Sequence, residues 1–315
     1  MKLGTRGSAL ALTQSGHVAD ALRALGTEVV LHRVVTRGDV DPAAIAQMGG
    51  TGVFVTALRD ALLRSECDLA VHSFKDLPTA PAPGLVVAAV PPREDPRDVL
   101  VASGGRTLGE LPTGARIGTG SPRRAAQLKA LGLGHEVVPV RGNVDTRIGF
   151  VASGRLDAVV LARAGLARLG RLEEASEVLD PLQVLPAPAQ GALAVECREE
   201  DTALLALLAQ LDHADTRTAV AAERALLGAL EAGCTAPVGA LADVAEGDDD
   251  DEVFLRAVVL APDGSDALRL SATGPASDAE GVGRRLAAEL LELGAADLMD
   301  AAALELPLTT DGGPA

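Results

Sequence analysis

Three segments of this chain occur twice, in the same order, and that repetition limits the fold more than anything else in the sequence. Lys2-Leu3-Gly4-Thr5 runs into Gly7-Ser8 and a helical pattern to about Leu25, and Arg116-Ile117-Gly118-Thr119 runs into Gly120-Ser121 and a helical pattern to about Leu131. Each reads as strand, glycine turn, helix. Two valine-rich strands follow, Glu28 to Val35 and Glu136 to Val140, delivering Thr36-Arg37-Gly38-Asp39-Val40 and Val140-Arg141-Gly142-Asn143-Val144 to loops. A third pair, Asp68 to Val71 and Asp157 to Val160, follows a helix each time and reads as a short buried strand. The expected fold is α/β, with two lobes of one plan and mainly parallel sheets. In such sheets ligands sit at loops beyond the carboxyl ends of strands, which is where these landmark loops lie.

Two similar, periplasmic-binder-like α/β lobes would thus face each other across a cleft. The chain crosses between them at Pro91-Pro92-Arg93-Glu94-Asp95-Pro96 and again at Leu185-Pro186-Ala187-Pro188-Ala189-Gln190-Gly191, and two crossings suit a hinge. Ala192 to Cys197 reads as a strand returning to the first lobe. From about Ala214 a helix to about Glu231, strands near Val238 to Val244, Val253 to Leu260 and Ala267 to Ala272, and a helix from about Asp278 to Leu293 form a smaller C-terminal α+β domain. The expected division is 1–91 with 192–211, then 97–186, then 214–303, with 304–315 as a tail. The acidic run from Glu246 to Glu252 reads as a solvated hairpin loop, because it lacks the glycine position and spacing of a calcium-binding EF-hand.

Charge divides along the same lines. Residues 1–171 hold 21 of the 28 Lys and Arg against 15 acids, whereas residues 172–315 hold 7 against 29. The total of -16 opposes binding to nucleic acid or an anionic membrane, and 4 Phe with no Trp or Tyr leave little for base stacking. Apart from Lys2, Lys75 and Lys129 the bases are arginines, which suits bidentate capture of carboxylate or phosphate but also follows from GC-rich coding bias. Cys67, Cys197 and Cys234 are odd in number and show no metal-binding spacing, so no disulfide framework and no metal is expected. The N-terminal segment lacks the apolar core of a signal peptide, and no apolar run reaches the roughly 18 to 20 residues of a membrane span. A soluble cytoplasmic protein is expected.

Three motifs could carry chemistry. Gly118-Thr119-Gly120-Ser121-Pro122-Arg123-Arg124 begins like a dinucleotide fingerprint, but Arg123 stands at the third glycine position. Ser121 suits an N-cap and Pro122 a first helical residue, which aims free amides and the positive helix end at an anion beside two arginines; the plainer alternative is a capped helix with two solvated arginines. His72-Ser73-Phe74-Lys75-Asp76-Leu77-Pro78 follows a buried strand, and its Lys-Asp pair is either an exposed ion pair or, at a cleft, an acid or base beside a cation. Gly233-Cys234-Thr235-Ala236-Pro237 follows a helix C-terminus, which does not lower a thiol pKa.

Together with Thr5-Arg6-Gly7-Ser8, Val35-Thr36-Arg37-Gly38-Asp39, Arg93-Glu94-Asp95-Pro96-Arg97-Asp98 and Val140-Arg141-Gly142-Asn143-Val144, these motifs closely resemble the hydroxymethylbilane synthase (porphobilinogen deaminase) family from residue 2 to about 303. The resemblance implies a transferase of tetrapyrrole (haem) biosynthesis that joins four porphobilinogen units head to tail, releasing ammonia, on a covalent dipyrromethane primer. It implies a thioether to that cofactor at Cys234, and Asp76 as the catalytic carboxylate that stabilises cationic pyrrole species and moves protons, following loss of ammonia to an electrophilic azafulvene. Lys75 would position carboxylates or tune Asp76. With Cys234, the residues Lys75, Ser73, Thr119, Ser121, Arg123, Arg124, Asn143 and Arg147 are the implied cofactor-binding residues; Arg6, Ser8, Arg141, Arg168 and Gln190 are the implied substrate-binding residues.

Gln47 and Thr51 stand where the family often has lysines, Ala189 where glycine is common, and Gly120 where serine is usual. Ala189 implies a stiffer hinge. The two lobes also fit a solute-binding protein that does no chemistry, against which the missing signal peptide and Cys234 in a third domain both count. A monomer is expected.

Overall fold

The computed structural model describes residues 1–34, 51–232, 236–247 and 250–300. β1 (Lys2–Thr5), β2 (Val30–Arg33) and β3 (Leu69–Ser73) run parallel, with α1 (Ala9–Ala24) between the first two and α2 (Thr51–Leu63) before the third. β4 (Leu85–Ala89) and β10 (Leu193–Arg198) complete a sheet of order β2-β1-β3-β10-β4. The second lobe repeats this plan with β5 (Asp98–Ala102), β6 (Arg116–Thr119), α3 (Pro122–Ala130), β7 (Glu136–Pro139), α4 (Val144–Ala152), β8 (Ala158–Ala162), α5 (Arg163–Arg168) and β9 (Glu177–Val178), in the order β7-β6-β8-β5-β9. Ser8 and Ser121 occupy the same place in the two lobes, each accepting from the amide three residues on to cap α1 and α3.

Mainly parallel sheets were expected, and both sheets are mixed. The chain enters β5 and β10 from the hinge, at the end where the parallel strands leave, so both must run backwards. β10 is antiparallel to β3 and β4, and β5 to β8 and β9. The register places Leu193 opposite Ser73 and Asp98 opposite Ala162. Each crossing therefore opens beside the carboxyl end of a parallel strand, where the site loops begin.

Apolar alternation fills both faces of each sheet. Val18, Ala19 and Leu22 of α1 pack on Leu3, Leu69 and Val195, while Phe74, Leu77 and Ala194 pack on the other side with Val220. In the second lobe Leu128 packs with Leu100, Ile117 and Val160, and Val151 with Val99, Val101 and Val159. After α6 (Thr202–Leu208) comes α7 (Ala214–Ala229), then the antiparallel sheet β11 (Val238–Ala245), β12 (Glu252–Leu260), β13 (Ala267–Pro275), then α8 (Ala279–Glu292) and α9 (Ala295–Asp300). One face of this sheet is closed by α7 and α8 through Leu226, Val282, Leu286 and Leu290. From the other face Leu241, Val258 and Leu260 reach Ala126 and Leu185 of the second lobe. No helix among the described residues is long and apolar enough to cross a membrane.

Candidate active site

β3 ends at Ser73 and passes into a single 3₁₀ turn, Phe74–Asp76, whose Phe74 amide donates to the Ala192 carbonyl at 3.0 Å. Phe74 and Leu77 are buried on either side of Lys75 and Asp76, so the apolar pair anchors the loop and leaves the polar pair part-exposed. Lys75 Nζ donates to Gln190 Oε1 at 3.2 Å, and Gln190 Nε2 donates to Asp98 Oδ1 and the Pro96 carbonyl, each at 2.7 Å. Asp98, fully buried at the first position of β5, accepts from Arg123 Nη2 at 2.8 Å and Arg124 Nη2 at 2.7 Å. A continuous polar chain thus runs from the first lobe, through the second crossing, to the helix N-terminus of the second lobe.

The sequence offers Arg123 and Arg124 as loop cations beside a capped helix. The structure buries them, at 3% and 5% exposure, and ties them to Asp98; Arg123 also donates to the Leu185 carbonyl and Arg124 to Val160 at 3.1 Å. Their Nε atoms are buried with no acceptor among the described residues. Burial alone would raise the Asp98 pKa, but the two guanidiniums outweigh it and hold the carboxyl well below its usual range. Burial lowers the Lys75 pKa to about 8, against the opposing pull of Asp76 and with help from Arg124.

Arg147 Nε donates to the Gly142 carbonyl at 2.9 Å; burial first and Arg124 second lower its pKa, which places it near the same cluster. Thr119 Oγ1 accepts from the Ser121 amide at 3.2 Å, and a Cβ at Gly120 would stand 2.5 Å from the Val140 carbonyl, so this turn has no room for the usual serine. Asn143 caps α4 through the Thr146 amide at 2.9 Å, and Arg141 stands exposed beside it. In the first lobe Ser73 and Gln14 exchange hydrogen bonds at 2.9 and 3.3 Å, while Ser8 caps α1 and Arg6 is part-buried between β1 and that cap.

Arg168 lies apart from this cluster. Its Nη2 donates to the Gly191 carbonyl at 2.6 Å, and it lines a cavity of about 570 Å³ beside the hinge with His17, Pro91, Pro92 and His213. Cys234, Asp39 and Gln47 lie outside the described residues. Sequence reasoning gave no role to Asp98, although the motif ending in it was quoted, nor to Glu223. Fully buried in α7, Glu223 accepts from Arg93 at 2.7 and 3.0 Å, from the Ala189 amide at 2.5 Å and from the Ala242 amide at 2.8 Å. One carboxylate thereby joins both crossings to the C-terminal domain. Among the described residues no group of His, Cys, Asp and Glu could hold a metal ion.

Family models match nearly the whole of this framework: "Porphobilinogen deaminase, dipyromethane cofactor binding domain" over residues 1–206, and "Porphobilinogen deaminase, C-terminal domain" over residues 217–292. The chain belongs to the porphobilinogen deaminase family. Porphobilinogen deaminase of Nocardia farcinica is 59% identical over 304 residues, covering 95% of this chain and 88% of that protein; that of Mycobacterium tuberculosis strain H37Rv is 59% identical with 95% and 98% covered. Among solved structures, a putative methionine-binding lipoprotein of Bacillus subtilis covers 67% of this chain and 89% of its own at 14% identity and TM-score 0.42. The L-cystine solute receptor of Neisseria gonorrhoeae covers 67% and 84% at 16% identity and TM-score 0.38. As a porphobilinogen deaminase the chain is a transferase that polymerises four porphobilinogen units into hydroxymethylbilane with release of ammonia, using a dipyrromethane cofactor. The buried Nε atoms of Arg123 and Arg124, which have no acceptor among the described residues, fit a cofactor that carries carboxylates.

Proposed function

We propose that Asp76 is the catalytic carboxylate of this porphobilinogen deaminase, and that Cys234 carries the dipyrromethane through a thioether. The observation that carries the first part is the polar chain Lys75–Gln190–Asp98–Arg124, which sets Asp76 beside a cation and at the junction of both lobes. The dipyrromethane, when bound, supplies the free α-carbon to which the first unit is joined. In each condensation a carbon–carbon bond forms, a carbon–nitrogen bond breaks, ammonia takes up a proton and the α-carbon gives one up. Asp76 Oδ atoms accept and return that proton, and their charge favours the cationic pyrrole in between. Arg6, Lys75, Arg123, Arg124, Arg141 and Arg147, with Ser8, Ser73, Thr119, Ser121, Asn143 and Gln190, orient acetate and propionate groups, and the Lys75–Gln190 hydrogen bond also ties the first lobe to the second crossing. Arg168 acts on substrate from the hinge side. The described cysteines support Cys234 as the anchor: burial first, and then Asp68 or Asp201, push Cys67 and Cys197 up to about 11.

The intact mass of the denatured protein, with a peptide map around Gly233-Cys234, tests the anchor: an excess of two deaminated porphobilinogen units on Cys234 is expected, and a bare chain after incubation with porphobilinogen refutes it. Asp76→Asn should keep that excess and lose most turnover. Residues 1–91 with 192–211, 97–186 and 214–303 are the proposed domains. A cytoplasmic monomer completes the reading, with sedimentation as its check.

A further inference from the structure

Arg224 is one residue beyond Glu223 on α7, and its side chain leaves the C-terminal domain for the first lobe. Its Nη1 donates to the carbonyls of Leu77 at 2.9 Å and Phe74 at 3.4 Å, its Nη2 to the Pro78 carbonyl at 2.6 Å, and its guanidinium lies 4.5 Å from the centre of the Phe74 ring. These carbonyls bracket Lys75 and Asp76. The Phe74 carbonyl also accepts from the Leu77 amide at 3.1 Å, which closes the 3₁₀ turn, whereas the Leu77 and Pro78 carbonyls lie past its end, so a planar cation with a fixed fork of donors can tie the turn to the segment that follows it. The stripe continues along the same helix face: Val220 packs with Phe74 and Leu77, and a Cβ at Gly228 would sit 3.5 Å from Thr79.

We propose that Arg224 is a positioning residue for the condensation, holding the Phe74–Pro78 loop so that Asp76 keeps a constant place relative to the C-terminal domain. This rests on the reading of Asp76 as the catalytic group. The chain grows from an anchor just beyond α7, and each new unit must present its reacting atoms to the same carboxylate. A helix of the C-terminal domain that grips the carboxylate's loop holds the carboxylate in one place while successive units reach it. A lysine in its place has a single point charge and cannot serve the three carbonyls and the ring together.

The test is steady-state kinetics of primer-loaded Arg224→Gln, Arg224→Lys, Asp76→Asn and a control, Arg217→Gln. Arg217 lies on α7 too, but its contacts are Asp212 and the Val87 and Ala88 carbonyls, away from the loop. Arg224→Gln should retain the primer mass, keep KM for porphobilinogen within about twofold and lower kcat about 10- to 100-fold, the range for a reacting group displaced by about 1 Å. Arg224→Lys should recover part of that loss, and Arg217→Gln should lose thermal stability with kcat unchanged. Wild-type kcat in Arg224→Gln, or an equal fall in Arg217→Gln, overturns the proposal. If Arg224→Gln does not fold, Arg224→Lys decides: wild-type kcat overturns it and a lower kcat at constant KM supports it. An inactive Asp76→Asn beside a fully active Arg224→Gln removes the clamp alone, whereas an active Asp76→Asn removes the catalytic reading on which it stands.

Discussion

Asp98→Asn replaces one buried negative charge under two buried guanidiniums. In the wild type its oxygens accept from Arg123 at 2.8 Å, Arg124 at 2.7 Å and Gln190 at 2.7 Å. The asparagine keeps one acceptor oxygen and turns its NH2 group, a donor, toward a guanidinium that also only donates. An uncompensated buried cation costs about 3–5 kcal/mol, a large share of a net stability of about 5–15 kcal/mol. At roughly 2–4 °C per kcal/mol for a domain of this size, melting should fall by roughly 6 to 20 °C. Calorimetry of primer-loaded wild type and variant at neutral pH measures this, and 0.5 M salt should leave most of the gap because the pair is buried. Since the folded Asp98 pKa is depressed, its stabilisation is complete above the unfolded value of about 3.9 and is lost as pH falls towards the folded one, so the gap should narrow only below about pH 4. A loss below about 1 kcal/mol at neutral pH would show that the arginines do not depend on Asp98.

Glu223→Gln should destabilise the protein by about 3 kcal/mol, because Arg93 of the first crossing loses its charge partner and the carboxylate that also accepts from the Ala189 amide of the second is gone; chemical denaturation monitored by circular dichroism checks it. Ala189 holds φ at +61°, a left-handed conformation costing a non-glycine residue about 1–2 kcal/mol, so Ala189→Gly should raise melting slightly even after the added chain entropy. Gly120→Ser should lower stability by about 1–3 kcal/mol, since its Cβ meets the Val140 carbonyl, and a neutral melt would contradict that packing. With Lys75 at about 8, carboxylate binding should weaken as pH rises through 8, raising KM, and Lys75→Arg should abolish that limb. Stability runs the other way at this group: the unfolded lysine, near 10.5, binds more protons between the two values, so the folding penalty present below about 8 is relieved as pH rises.

The repeat of strand, glycine turn and helix was readable because both copies follow local rules: Ser8 and Ser121 cap, Gly120 turns, and valines mark buried strands. β4, β5 and β9 went unread, because short apolar runs such as Leu85–Ala89 and Asp98–Ala102 become strands only through partners far along the chain. The family motifs pointed to Lys75, Asp76, Arg123 and Arg124, and sequence alone read the arginines as partners of a bound anion, with two solvated arginines as the alternative, and gave no sign that they are buried. Their burial depends on Asp98, which β5 brings beneath α3 from 25 and 26 residues away. Glu223 and Arg224 were illegible for the same reason: nothing near them on the helix marks them out, and their charge partner and loop contacts, Arg93 and the Phe74–Pro78 loop, lie more than 100 residues away.

β10 lies between β3 and β4, so the first sheet has a gap between those two strands until residues 193–198 have been made. The second sheet uses strands from residues 98–178 alone. During synthesis from the N-terminus, the second lobe can close while the first still exposes two unpaired inner edges, β3 and β4, to the solvent of the ribosome exit. For the two lobes the order of birth and the order of completion are thus reversed, and the lobe that bears Lys75 and Asp76 closes second, when the returning strand slides into the slot kept for it.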